Sequence, residues 1–244
     1  MNADGTIVVI GGSSGIGLAV ARRSLDDGAT VVIAGRSQQR LDAARADLAR
    51  TGPPAGRLSA HPVDIGDPAQ VTRLFERVGT LSHLVVTAAD LPYGPVVSLS
   101  EDSMVRAVRS KILSPLFAAQ QAAPRITKPG SITFTSGVAA SRPAPGGALA
   151  ATVNGALESM VLALALELAP IRVNAVSPGW VDTPVWDRLA TPDVKNARMA
   201  DLAARLPARR LGRPEDIANA VAFLIADTFV TGTVLHAEGA QVLV

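Results

Sequence analysis

The 244-residue sequence has no cysteine, so disulfides, thiolate metal sites and a catalytic thiol are excluded at the outset. Tyrosine occurs once, as Tyr93, and lysine three times, as Lys111, Lys128 and Lys195. The three histidines, His61, His83 and His236, lie too far apart to form a spaced metal-ligand pair, and no metal is expected. Charged residues make up 18% of the chain, the net charge is +2 and no basic run occurs, so nucleic acid is not an expected partner. The opening "MNADGTIVVIGG" enters a strand without a basic region, apolar stretch and cleavage site. No uninterrupted apolar run reaches the roughly 18 residues of a membrane span, so the default expectation is a cytoplasmic protein with no membrane partner.

What is present is a large apolar fraction, 48%, arranged in a regular alternation. Seven β-branched runs read as strands: 6–10, 30–34, 57–63, 83–87, 131–135, 171–176 and 233–237. Most are continuously apolar, as strands buried on both faces must be. Helix-like runs separate them, beginning at "GIGLAVARRSLDDG", "SQQRLDAARADLARTG", Pro68, Ser100, about residue 148 and "RPEDIANAVAFLI". The run from Ser100 reads as one helix ending by Pro124. This alternation predicts a single α/β domain over residues 1–244: a doubly wound, seven-stranded parallel sheet flanked by helices. Residues 184–207, with three prolines and weak periodicity, are the expected mobile lid.

"IGGSSGIG" lies between the first strand and the first helix, where glycines permit a tight turn and the helix N-terminus can face a phosphate. Its spacing, Gly11 and then Gly15-Ile16-Gly17, resembles the T-G-x-x-x-G-I-G loop of the short-chain dehydrogenase/reductase family, with Gly11 where that family has Thr. The resemblance continues through "HPVDIGD", "LVVTAAD", "LAPIRVNAVSPGWVDTP" and "RLGRPEDIANAVAFL", and so covers essentially the whole chain. It implies a Rossmann fold that binds a nicotinamide dinucleotide. The implied cofactor contacts are Gly11, Ser13, Ser14, Gly15, Ile16 and Gly17 around the phosphates, and Asp64 and Ile65 at the adenine. Thr87, Ala88 and Ala89 follow the fourth strand, and Pro178, Gly179, Val181 and Thr183 lie on the nicotinamide side.

After the second strand, Gly35 stands where an acid would bind the ribose 2′-hydroxyl, and Arg36 follows it. A guanidinium there can pair with a 2′-phosphate, so NADP(H) is expected over NAD(H), with Ser37 assisting.

The family's reaction machinery is a Tyr that handles the substrate proton, a Lys four residues later, a Ser that orients the carbonyl and a supporting Asn. On the register set by "ALESMVLALALELAPIRVNAVSPG", the Tyr position falls on Ala150 and the Lys position on Asn154. The Ser position falls on Gly137, one residue after Ser136, and the Asn position on Lys111. Asn and Lys have traded places. The candidate catalytic residues are therefore Lys111, Ser136, Asn154 and Tyr93, with Asp90 and Arg142 as weaker candidates. Against each stands a plainer reading: a solvent-facing helical lysine, a loop aromatic over the core edge.

Three functions remain open on the sequence. The first is an NADP(H)-dependent oxidoreductase acting on a carbonyl or alcohol through a non-standard proton donor. The others are an NADP(H)-binding sensor, scaffold or inactive subunit, and a non-redox enzyme using the same cavity. Without Tyr and Lys the cavity is expected to be wider and more apolar, suited to a hydrophobic small-molecule substrate. The small and apolar residues of "ALAATVNGALESMVLALALEL" suit close helix packing, and the resemblance implies a homodimer or homotetramer.

Overall fold

The computed structural model describes residues 5–50, 56–184 and 192–244. Seven strands form one sheet: β1 (Thr6–Ile10), β2 (Thr30–Gly35), β3 (Leu58–Pro62), β4 (Leu81–Val86), β5 (Ile126–Thr135), β6 (Arg172–Pro178) and β7 (Val234–Ala237). Their order is β3-β2-β1-β4-β5-β6-β7 and every pairing is parallel. The direction of winding reverses between β1 and β4, which opens a crevice at the carboxyl ends of these strands. His236 lies on β7, the edge strand.

Alternation along β1 shows how the sheet is buried. Ile7 and Val9 face one core with α1 (Gly15–Asp26), α2 (Gln38–Ala49) and α8 (Pro214–Ala226). Val8 and Ile10 face the other, with α3 (Pro68–Val78), α5 (Ser114–Ala122) and α6 (Ala148–Glu167). Both faces are covered, which is why the inner strands read as largely apolar runs.

The helix starts follow local chemistry. Ser37 accepts from the Arg40 backbone N–H to cap α2, and Asp67 accepts from the N–H groups of Ala69 and Gln70 ahead of Pro68 in α3. Ser100 likewise caps α4 (Glu101–Val108) through the Ser103 N–H.

One sequence expectation is corrected. The helix expected from Ser100 to Pro124 is not uniform, because α4 passes into a π-helical turn, Arg109–Leu113, before α5 begins. The extra residue shifts the apolar phase by about 100° between helices of only 8 and 9 residues, too short for the break to stand out in the pattern. Within the stretch expected to be a lid, Pro192–Arg205 forms a helix, α7, while residues 185–191 lie outside the described residues. Pro192 at the first turn was the start signal that its proline count obscured.

α6 is the described helix long and apolar enough to cross a bilayer by length and composition. Its buried residues Leu157, Val161 and Leu164 pack on the sheet as those of a core helix do.

Candidate active site

The loop after β1 is shaped by what a Cβ would strike. Gly11 has φ +97°, and a side chain there would come within 2.5 Å of Thr87 Oγ1 and 2.7 Å of the Ala88 nitrogen. A Cβ on Gly17 would fall on the Gly11 carbonyl oxygen and within 2.6 Å of Thr87 Oγ1. Thr87 is fixed in turn: its N–H and that of Ala88 both donate to the Ile10 carbonyl, at 2.9 and 3.2 Å. The first turn of α1 has no acidic residue, and Ser14 makes no side-chain cap, so its N–H groups stay open to an anion.

Thr183 stands over this loop, with its Cγ2 3.3 Å from where a Gly15 side chain would begin. It is carried there by a brace in which Asp182 N–H donates to the Gly212 carbonyl at 2.9 Å and Trp180 N–H donates to Gln241 Oε1 at 3.0 Å. Val181 is buried and pairs with Gly212, while Gly179, just after Pro178, donates to the Ala237 carbonyl.

Ser13 touches the end of β2, since a Cβ on Gly35 would lie 3.2 Å from its Oγ. Arg36 follows at the surface, its guanidinium without an ion pair or hydrogen bond among the described residues. Ser37 is already engaged as the α2 cap. Asp64 is exposed and accepts the Gly66 N–H at 2.9 Å, and Ile65 beside it is buried. Ala89 is exposed in the loop after β4. These residues fit a dinucleotide: a cradle that a Cβ would fill, an open helix N-terminus and an unpaired guanidinium one strand away.

Across the crevice the chemistry is different. Lys111 sits in the π-helical turn and is only 4% exposed. Its Nζ donates to the carbonyls of Thr135 at 2.6 Å and Ser136 at 3.1 Å, where β5 ends. An ammonium has three N–H donors, so one remains. Burial lowers the Lys111 pKa to about 8, and the negative charge of Glu158 opposes that fall.

Ser136 is buried, and its hydroxyl donates to Glu158 Oε1 at 2.7 Å; it also lies 3.5 Å from the Asn154 carbonyl. Asn154 is 3% exposed, and its Oδ1 has no hydrogen-bond partner. Its Nδ2 lies 2.9 Å from the position of a Gly137 Cβ, so the amide fills the space that a serine at 137 would need. Ala150, one turn earlier on α6, is completely buried.

Glu158 carries a role that sequence reasoning missed. Its signal was its spacing, because Ala150, Asn154 and Glu158 recur every fourth residue and share one helix face.

The remaining candidates are placed less centrally. Tyr93 is 51% exposed, and its hydroxyl has no hydrogen bond among the described residues. Partial burial raises its pKa, so it is a neutral phenol. The next residue, Gly94, donates to the Gly146 carbonyl at 2.9 Å, which ties this loop to the approach to α6. Asp90 is held through its backbone by Ser110, at 3.1 Å in both directions. Arg142 donates through Nε to the Val244 carbonyl at 2.7 Å and so holds chain rather than ligand. His83 is buried against Ser131, and burial, aided by Arg172, lowers its pKa to about 4, a structural role. His61 pairs with Arg77.

A family model described as Enoyl-(Acyl carrier protein) reductase matches residues 10–239. Short-chain dehydrogenase/reductase ATR9 of Stachybotrys chlorohalonatus is 36% identical, over 98% of this chain and 97% of its own. The chain belongs to the short-chain dehydrogenase/reductase family.

Among solved members of the short-chain dehydrogenase/reductase family, the MalC Reductase/Diels-Alderase from Malbranchea aurantiaca superposes with a TM-score of 0.91 at 30% identity, covering 98% of this chain and 96% of that one. An NADPH-bound short chain oxidoreductase from Pseudomonas aeruginosa PAO1, described as containing an atypical catalytic center, gives 0.90 at 28% identity, covering 97% and 96%. Relatives in this family are oxidoreductases, and NADPH-bound neighbours support a nicotinamide cofactor.

Proposed function

We propose that this short-chain dehydrogenase/reductase is an NADP(H)-dependent oxidoreductase in which Lys111 is the working cation. The observation that carries this reading is the amine itself, buried against the carboxyl end of β5. Bound in the cradle, NADP(H) supplies or takes up hydride. Gly11, Gly15 and Gly17 would let the backbone approach its pyrophosphate, Thr183 would hold the nicotinamide side and Arg36 would pair with the 2′-phosphate. Asn154 stands at the family's lysine position and offers a buried acceptor oxygen to a ribose hydroxyl.

A carbonyl that receives hydride becomes an alkoxide, which needs a positive neighbour or a proton. The third N–H of Lys111 meets that need, and a pKa of about 8 leaves it mostly charged near neutrality and able to release its proton. Ser136 does not serve as the hydroxyl that orients the substrate, because its hydrogen is committed to Glu158. The loop carrying Tyr93, Val96 and Val97 exposes apolar surface, which suits a small-molecule substrate with a hydrophobic body.

The exposed apolar side chains Met104, Val105, Val108, Leu113, Leu116, Leu162 and Leu166 on α4, the π-helical turn, α5 and α6 suit a homodimer or homotetramer. Light scattering on a sizing column tests that, a monomer at micromolar concentration being the contrary result.

A second reading, NADP(H) binding without turnover, draws on Ala150 and Gly137, which leave no phenol and no hydroxyl where the family places them. A non-redox reaction in the same cavity is the third, favoured by the double description of MalC as reductase and Diels-Alderase. Fluorescence titration with NADPH and NADH, followed by turnover assays on apolar aldehydes, ketones and alcohols, separates these readings. The oxidoreductase reading expects tighter NADPH binding and turnover that Lys111→Met abolishes. Tight binding with no oxidation of NADPH on any acceptor transfers support to the other two.

A further inference from the structure

We propose that Glu158 is a positioning residue for Lys111 and acts on it through Ser136. The inference rests on the reading of Lys111 as the working cation, and it adds to the site a group that the family resemblance did not supply.

Ser136 is a two-way tie. Its hydroxyl donates to Glu158 Oε1 at 2.7 Å, while its carbonyl accepts from Lys111 Nζ at 3.1 Å. The carboxylate therefore fixes the backbone segment to which the ammonium is anchored, and the Thr135 carbonyl at 2.6 Å completes the anchor. An ammonium removed from water needs a negative partner, because carbonyl dipoles alone do not balance a full charge.

The groups around Lys111 identify that partner. From β5 come only backbone carbonyls, and α6 contributes neutral Asn154 and the carboxylate of Glu158. On the π-helical turn itself, Arg109 turns toward Gly66, with its Cδ 3.8 Å from the Cβ position there. The loop after β4 brings Asp90, held by Ser110, and the neutral phenol of Tyr93. Among the described residues Glu158 is the negative group that acts on Lys111, and it does so against the effect of burial.

A plain structural role for Glu158, accepting one serine hydroxyl, is separable from this one. Glu158→Gln keeps an acceptor oxygen of the same reach and removes only the charge. The chain has three lysines, so ¹³C-labelled lysine gives a spectrum in which Lys111→Met assigns the Lys111 signal. In the ligand-free protein the Lys111 midpoint is expected near 8 and is expected to fall by about one unit in Glu158→Gln. Glu158→Asp restores part of that fall. Ser136→Ala, which cuts the tie but leaves both charges, moves the midpoint in the same direction by less. An unmoved midpoint in folded Glu158→Gln overturns the proposal, and if that variant does not fold, an unmoved midpoint in Ser136→Ala does so.

Turnover provides the separate readout. Where NADPH oxidation is found, the alkaline limb of kcat shifts with the NMR midpoint while KM holds, and a fixed limb counts against the proposal. A midpoint that moves in a protein with no turnover leaves Glu158 as the positioning residue and removes only the oxidoreductase reading.

Discussion

The two walls of the crevice are built on different principles. On the β1–β2 side the proposed nucleotide site is made of backbone: Gly11 and Gly17 are defined by atoms they lack, and any Cβ there meets Thr87 or the main chain. On the β5–α6 side the proposed reaction site is made of side chains, Lys111, Ser136, Asn154 and Glu158, whose partners reach across elements. A backbone site tolerates almost no substitution and so keeps its form. A side-chain site can be repopulated while the strands beneath it stay fixed, as the Gly137 and Asn154 pair illustrates.

If the contrast holds, the largest effect on cofactor binding should come from the backbone wall. Gly17→Ala forces a Cβ against the Gly11 carbonyl and Thr87, so a loss of at least about 100-fold in NADPH affinity is expected, with about 1–3 kcal/mol of overpacking cost. Fluorescence titration and thermal melting check both, and unchanged binding would show that the cradle does not hold the pyrophosphate.

Lys111→Met should reverse that pattern. Turnover is expected to fall on the order of 100- to 1000-fold while NADPH affinity stays within a few-fold. In the parent protein, carbonyl reduction should decline as pH rises through about 8, because Lys111 loses its proton there. A rate flat across that range removes Lys111 from the chemistry.

Arg36→Ala bears on the edge of the nucleotide wall, where recognition passes from backbone to side chain. NADPH binding is expected to weaken about tenfold or more and NADH binding to stay unchanged, the difference being one charge-assisted contact to phosphate. Equal weakening of both dinucleotides would place Arg36 elsewhere on the cofactor.

The smallest effect tests repopulation directly. Gly137→Ser sets a Cβ 2.9 Å from Asn154 Nδ2, a displaceable side-chain end, so a loss of about 1 kcal/mol is expected. Asn154→Ala added to it should recover part of that loss, seen as non-additivity in a double-mutant cycle of chemical denaturation.

The same division decides what could be read from sequence. The five inner strands were legible because each is covered on both faces and writes its burial as an apolar run, while the edge strands β3 and β7, only partly buried, were read from their place in the alternation. Gly11, Gly15 and Gly17 were legible because a backbone requirement leaves a residue-specific mark. Lys111 was found only by register, as a residue out of place. Glu158 stayed hidden because its importance depends on Ser136, 22 positions earlier at the end of β5, and its fourth-residue spacing from Ala150 and Asn154 marks a shared face without naming that partner. The π-helical turn was hidden for a similar reason: one added residue alters where a side chain aims without altering the helix's composition.

That turn makes the orientation of the amine a matter of counting. Removing a single residue between Arg109 and Leu113 and restoring regular winding would rotate one flank of the helix by about 100° relative to the other. Chain length, adjustable by one codon, thus becomes a steering control for a charge that otherwise rides on an undisturbed scaffold, and related chains can diverge in chemistry by deletion as readily as by replacement.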